Sequence, residues 1–303
     1  MTMPSAGKDT IAIERLRFAA ELSEKLYEKP LLLTDSGGKD SSACKQLAVM
    51  AGINFEILHS HTSVDAPETV RFVRSEFSRF EDKGVKCTVH YPYYKGKRVT
   101  MWSLIPQKLM PPTRLVRYCC EILKENSSKD RLCVTGVRWD ESIRRKNTRG
   151  VFESQHRELD KRITLLNDND ESRRLFESCQ LRARRVCNPI VDWTDADVWA
   201  FLRAEKVPIN PLYGCGFSRV GCIGCPMAGK HRAAEFARYP AYKEIYIRTF
   251  EKMIDERIRR GKLDGVWRMG TTGRDVFHWW MEDGVVSGQI ELGDLFPELS
   301  DTI

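Results

Sequence analysis

The chain has 303 residues, 42% of them hydrophobic and 30% charged, with a formal net charge of +7. That balance suits a folded chain with a real core and argues against a disordered or fibrous one. Apolar runs fall short of the roughly 18 residues needed to span a bilayer, and the opening stretch MTMPSAGKDTIAIERL lacks the n- and h-regions of a signal peptide, so a cytoplasmic protein without membrane association is expected.

Residues 11–29 carry helical apolar spacing and many strong helix formers. PLLLTD (30–35) is a short buried-strand run, and SSACKQLAVMAG continues as a helix to about Gly52. A second strand is expected at 53–61, a second amphipathic helix at 67–80, and further strands at 85–92, 131–137 and 186–193. This alternation predicts an α/β fold with a doubly wound, mainly parallel sheet. Ligands of such sheets bind beyond the carboxyl ends of the strands. Residues 144–185 are charged, rich in arginine and too long for a routine connection, which predicts a basic insertion. Thr194 with Asp197 matches a capping box and predicts a helix start. A long helical stretch follows at about 229–260. The expected organisation is an N-terminal helix (1–29), a main domain (30–228) containing the insertion, and a helical C-terminal region (229–303).

After the first strand, SGGKDSS spans residues 36–42. Gly37 and Gly38 let the backbone bend so that successive N–H groups converge on an anion. Ser36, Ser41 and Ser42 offer hydroxyl donors, and Lys39 a compact cation. The helix that follows points its positive end at the same place. This is not a Walker loop, because Asp40 follows the Lys and the first glycine of that frame is missing. A plain strand-to-helix turn would need neither the Lys nor the serines.

The ten cysteines favour metal or redox chemistry over a disulfide framework in such a protein. Cys119 and Cys120 are adjacent, and Cys222 and Cys225 form a Cys-x-x-Cys pair. Adjacent cysteines suit two irons of a cluster better than one zinc ion, so a [4Fe–4S] cluster is favoured over structural zinc. Cys44, Cys87 and Cys133 lie in apolar helix or strand patterns and read as buried thiols. Cys179 and Cys187, which flank the insertion's end, stay unassigned.

Together SGGKDSS, CCEILK, GVRWDESIRR, NPIVDWTDADVWAFL, VPINPLYGCG and GCIGCP resemble the phosphoadenosine phosphosulfate (PAPS) reductase family of the PP-loop ATP pyrophosphatase superfamily, over roughly residues 30–230. The resemblance implies an adenine nucleotide alpha hydrolase-like fold and ATP cleavage between the α and β phosphates. It implies a [4Fe–4S] cluster on Cys119, Cys120, Cys222 and Cys225. It also sets Gly136, Arg138, Ser142 and Arg145 at the phosphate or sulfate end of the nucleotide, where a guanidinium fork suits an oxyanion. Assimilatory reductases of the family attack with a cysteine in a C-terminal E-C-G-[IL]-H motif, whereas here the last cysteine is Cys225. Sulfonucleotide reduction by the usual thiosulfonate route is therefore not expected.

The branch closest in character is that of DNA phosphorothioation. The expected activity is ATP-dependent sulfur insertion into the DNA backbone, with residues 36–42 holding the ATP phosphates and Mg2+. Asp40 would either assist the metal or cap the helix, and Cys215 would be an extra thiol or an alternative ligand. DNA would be the substrate, since Lys and Arg meet backbone phosphates; the insertion also carries acids and reads equally as a solvated face. A cysteine desulfurase would donate sulfur, and the chain would act as a homodimer or with other modification proteins. The alternatives are an APS or PAPS reductase using an external thiol, a tRNA thiolase, and a non-catalytic Fe–S protein that binds nucleic acid.

Overall fold

A computed structural model describes residues 7–128, 130–155, 163–165, 184–262 and 271–282. They fall into two compact units. The first holds residues up to 61, 65–92 and 124–221; the second holds 62–64, 93–123 and the residues from 222 onward. The division runs at 221/222 and draws 93–123 into the second unit, whereas the sequence placed a boundary at 228/229.

The first unit is built on a seven-stranded sheet. In chain order its strands are β1 (Leu31–Thr34), β2 (Phe55–Ser60), β3 (Cys87–His90), β6 (Leu132–Val134), β7 (Phe152–Gln155), β8 (Ile163–Leu165) and β9 (Arg184–Cys187). The spatial order is β3-β2-β1-β6-β9-β7-β8. The pairs β1/β2, β2/β3, β1/β6 and β6/β9 are parallel, and β7 pairs antiparallel with β8 and β9. The five expected strands are all present, each shorter than its apolar run. The last differs most: 186–193 leaves the sheet after Cys187, because Pro189 cannot donate to a ladder and Asn188 turns its amide to Gly150 O and Glu153 Oε1.

The stretch read as an insertion is partly sheet. It contributes β7, β8 and a short helix α6 (Ile143–Thr148); residues 156–162 and 166–183, including Cys179, lie outside the described residues. Antiparallel strands added at the edge of a parallel sheet are common, and at four and three residues these two are too short to stand out among the charges.

Helices α1 (Lys8–Tyr27), α2 (Lys39–Ala51), α3 (Pro67–Glu81) and α7 (Asp195–Ala204) cover the core. Leu16, Leu47, Phe77, Phe80, Val198 and Trp193 cluster with Leu31, Leu33, Ile57, Leu132 and Val134, while Leu32, Leu58 and Cys133 form a separate cluster. That split follows from the strand period of two. Cys44, Cys133 and Cys187 are buried apolar thiols; burial pushes the Cys44 thiol up and, with the Glu81 charge, raises Cys87 to about 12. The capping box at Thr194 is present, with Asp197 Oδ2 accepting from Thr194 N at 2.7 Å.

The second unit contains a hairpin, β4 (Tyr93–Tyr94) with β5 (Lys97–Arg98), and helices α4 (Met101–Lys108), α5 (Tyr118–Leu123), α8 (His231–Arg238), α9 (Pro240–Arg259) and α10 (Gly273–Met281). Pro240 at the first position separates α8 from α9 within the expected 229–260 stretch. Phe236, Tyr246, Phe250, Phe277 and Trp280 are buried against one another. Trp280 is 3% exposed and part of this core. Among the described residues no helix is long and apolar enough to cross a membrane.

Candidate nucleotide site and cysteine centre

The strand order reverses between β1 and β6, since the chain runs outward from β1 to β2 and β3, then returns to β6 and β9. Crevices at such reversals, beyond the carboxyl ends, are where open α/β sheets bind ligands. SGGKDSS occupies that position after β1, Gly136 and Arg138 follow β6, and Asp195 follows β9.

Beneath the loop lies a buried ion-pair network. Asp35 Oδ1 accepts from Gly37 N at 2.8 Å and from Ser41 Oγ at 2.9 Å, and its Oδ2 accepts from Lys45 Nζ at 2.8 Å. Burial alone would raise the Asp35 carboxyl, but the Lys45 charge and the hydrogen bonds from Lys45 and Gly37 hold it below its ordinary value. Lys45 also reaches Glu76 Oε2 at 3.5 Å, and Glu76 accepts two bonds from Arg79. Gly37 adopts a φ of +71°, and a Cβ there would meet Thr69 Cγ2 at 2.8 Å. Asn210 Nδ2 ties the loop down through Gly37 O and Thr69 Oγ1.

The loop's outer side carries charge. Lys39 is 6% exposed, with Nζ 3.0 Å from Asp195 Oδ1 and 3.6 Å from Asp40 Oδ2. Arg138, 2% exposed, donates from Nε to Asp40 Oδ1 at 2.7 Å and from Nη2 to Asp195 Oδ1 at 3.0 Å. Asp140 Oδ2 lies 3.5 Å from Arg138 Nη1 and accepts from Asp195 N. Burial would raise Asp195, yet Lys39 and Arg138 hold it below the usual carboxylate value. The Lys39 amide donates to Tyr213 Oη at 2.9 Å; burial, with the Asp40 and Asp195 charges, pushes that phenol up to about 12. Gly38, the residue before α2, supplies no side-chain cap. Ser36 Oγ lies 3.3 Å from Ser41 Oγ, and the buried Ser42 Oγ has no hydrogen-bond partner among the described residues.

The expected loop residues thus come together with Gly136 and Arg138. Gly136 abuts Asp40, where a Cβ would sit 2.8 Å from Asp40 Cβ. Ser142 and Arg145 make local contacts instead. Ser142 caps α6 by accepting from Arg145 N, and Arg145 pairs with Glu141 at 40% side-chain exposure. Asp35, Lys45, Asp140, Asp195 and Tyr213 were not singled out from sequence. Asp195 stood inside a capping motif that already explained its surroundings, and Tyr213 inside VPINPLYGCG. Lys45 and Asp140 carried no pattern of their own.

All four expected cysteine ligands belong to the second unit. Cys119 is held above the ordinary thiol range by its hydrogen bond with Cys120, by burial, and by the sulfurs of Cys120, Cys222 and Cys225. Clustered thiols resist ionising together unless a cation shares the charge, so this donor set fits a metal centre. Arg117 Nη2 donates to Cys120 Sγ at 3.2 Å. Gly224, at φ +73°, turns the chain between Cys222 and Cys225, and a Cβ there would meet Phe236 Cζ at 2.6 Å. Glu235 Oε2 accepts from Gly224 N at 2.7 Å, and Tyr246 donates to Ile223 O at 3.0 Å. Cys215 is exposed and belongs to the first unit, on a short 3-10 turn.

A parallel sheet with a glycine loop at its switch point, backed by a buried Lys and Arg, defines an α/β domain of the PP-loop class. The chain belongs to the phosphoadenosine phosphosulfate reductase domain family, which it matches over residues 30–228. It is 27% identical over 245 residues to an uncharacterized protein of Methanocaldococcus jannaschii, covering 77% of this chain and 50% of that protein. An adenosine 5'-phosphosulfate reductase of Bacillus cereus is 22% identical over 213 residues, covering 67% of this chain and 76% of the relative. Among solved structures, the PAPS reductase of Candida auris in a phosphate complex aligns with a TM-score of 0.46 at 16% identity, covering 72% of this chain and 97% of that one. The chain spans half or less of the length of the first curated relatives it matches.

Proposed function

We propose that this chain binds Mg·ATP at residues 36–42 and uses the α–β phosphate bond to activate a backbone phosphate of DNA for replacement of oxygen by sulfur. The observation that carries the reading is the set of carboxylates, Asp40, Asp140 and Asp195, gathered around Lys39 and Arg138. Carboxylates beside a phosphate cradle repel a bare anion, but they suit a hard divalent cation carried in with a polyphosphate. Lys39 and Arg138 pair with them; a triphosphate would take over both cations and release carboxylate oxygens to Mg2+. The uncapped start of α2 and the Ser42 hydroxyl would donate to the phosphates.

A non-bridging oxygen of DNA would attack the α-phosphorus, the α–β bond would break, and pyrophosphate would leave with the electron pair. The terminal sulfur of a cysteine desulfurase's persulfide would then attack the DNA phosphorus, and AMP would leave with the original oxygen. A second, external thiol would attack the remaining S–S bond, being oxidised to a mixed disulfide with the desulfurase cysteine as the DNA phosphorothioate leaves. Cys119, Cys120, Cys222 and Cys225 would hold a [4Fe–4S] cluster, which when bound would tie the two cysteine segments together and supply a redox-active centre. Cys215, the exposed thiol of the first unit, would serve as a sulfur acceptor.

The second reading, an adenosine 5'-phosphosulfate reductase using an external thiol, is favoured by the Bacillus cereus relative. The two separate cleanly. Anaerobic protein is incubated with Mg·ATP and DNA, or with adenosine 5'-phosphosulfate and a thiol. Pyrophosphate and adenylated DNA support the first reading; their absence, with sulfite formed from the sulfonucleotide, overturns it.

A further inference from the structure

The end of β2 gathers a second set of ligand atoms. His59, His61 and Asp65 each present one, and these lie within 4.8 Å of one another. None belongs to the cysteine group or to the charged cluster around Lys39. We propose that they form a binding site for one divalent transition-metal ion of the zinc class.

Local structure explains the convergence. Residues two apart on a strand point to one side, so His59 and His61 project together where β2 (Phe55–Ser60) ends. The alignment is kept one residue past the strand, because His61 N donates to His90 O at 2.9 Å. The chain then turns back, and Asp65 arrives two residues before Pro67 opens α3.

The second observation concerns His59. Its Nδ1 lies 2.9 Å from the carbonyl oxygen of Asp35. A carbonyl only accepts, so Nδ1 donates, and Nε2 is the ring nitrogen left to face a metal ion. Metal-bound histidines use this arrangement, donating the other ring N–H to a backbone carbonyl or carboxylate. His59 is 5% exposed, which fixes the ring in that orientation. His61 is steadied by edge contact with Tyr91, ring centroids 5.5 Å apart.

Two imidazoles and one carboxylate select the ion's class. Imidazole suits Zn2+, Fe2+, Co2+ or Ni2+, whereas Mg2+ and Ca2+ prefer all-oxygen sets. Three protein ligands leave a coordination position open, the pattern of zinc sites that hold water or substrate. Donor atoms within this span reach Zn–N distances of about 2.0–2.1 Å through side-chain rotation. The His59 bond to Asp35 O also connects the site to the residue preceding SGGKDSS.

The test is Co2+ and Zn2+ titration of the full chain with its cysteine centre loaded, so that thiolates are already occupied. One Co2+ per chain is expected, with d–d absorption and no thiolate-to-cobalt charge-transfer band, and with displacement by Zn2+. His61→Ala and Asp65→Asn should each weaken binding by about tenfold or more, with far-UV circular dichroism confirming that each variant is folded. His59→Gln should bind equally poorly, and its far-UV circular dichroism separates loss of the ligand from loss of the Asp35 contact. Absence of binding, a thiolate band, or wild-type affinity in both His61→Ala and Asp65→Asn would overturn the assignment. The readout is independent of ATP turnover, so it stands or falls apart from the nucleotide reading.

Discussion

Replacing Gly136 with Ala probes how the end of β6 positions the nucleotide loop. A Cβ at this position would lie 2.8 Å from Asp40 Cβ, 2.9 Å from Asp40 C and 3.1 Å from Asp40 O. Carbon atoms in contact sit about 3.5–4.0 Å apart, so the first turn of α2 must retreat by roughly 0.6–1 Å. Two of the three atoms are backbone, so no side-chain rotation relieves the clash. Overpacking of this kind costs about 1–3 kcal/mol. The displaced residue is Asp40, which holds Arg138 at 2.7 Å and follows Lys39 directly. Misplacement of a positioning group by about 1 Å can reduce turnover on the order of 100-fold. Gly136→Ala should therefore lower the urea midpoint with an unchanged m-value and cut ATP–pyrophosphate exchange by roughly 10- to 100-fold. Wild-type exchange in a destabilised variant would show that Gly136 is a packing residue and that α2 does not position ATP. Wild-type values in both assays would refute the clash itself.

Lys39→Ala should abolish exchange while Cys222→Ser retains it, measured on the same anaerobic preparations; equal loss in both would end the separation of loop and cysteine roles. Lys45→Met leaves the buried Asp35 carboxylate without its cation, while Glu76 keeps Arg79, and should cost about 3–5 kcal/mol in urea unfolding. Asp35 is held below its ordinary value of 3.8, so its stabilisation is complete above that pH and is lost as pH falls through the lower folded value. Wild-type urea midpoints should therefore drop as pH falls from about 5 towards 3, and the Asp35→Asn variant, weaker at neutral pH, should show a shallower slope. Trp280→Ala removes a ring 3% exposed that stacks under Arg232 at 4.0 Å and donates to Pro112 O. It should cost about 3–5 kcal/mol, and the iron bound per chain after reconstitution should fall with it.

The strand–loop–helix order was legible because it rests on local chemistry. Apolar runs of four to six residues, two glycines, and a helix start carrying Lys and serines specify a cradle with no reference to distant residues. The cysteine pairs were equally legible, since ligand spacing survives without a fold. Arg138 was found through the motif around it, and Thr194 through its cap.

Tertiary structure decided what distance in sequence conceals. Asp195 meets Lys39 and Arg138 meets Asp40 because β6 lies beside β1 and β9 beside β6, which parallel pairing brings about. The same folding leaves Arg145 paired with Glu141, a local partner that its place in GVRWDESIRR could not reveal. The charged stretch hid β7 and β8 because strands of four and three residues are too short for periodicity to register. Asp35 and Lys45 read as ordinary polar residues; burial turned them into the ion pair under the loop. Sequence determined which groups could hold phosphate and metal, because those capacities belong to side chains. Which of them act together was decided by the sheet, because strand order sets who stands beside whom.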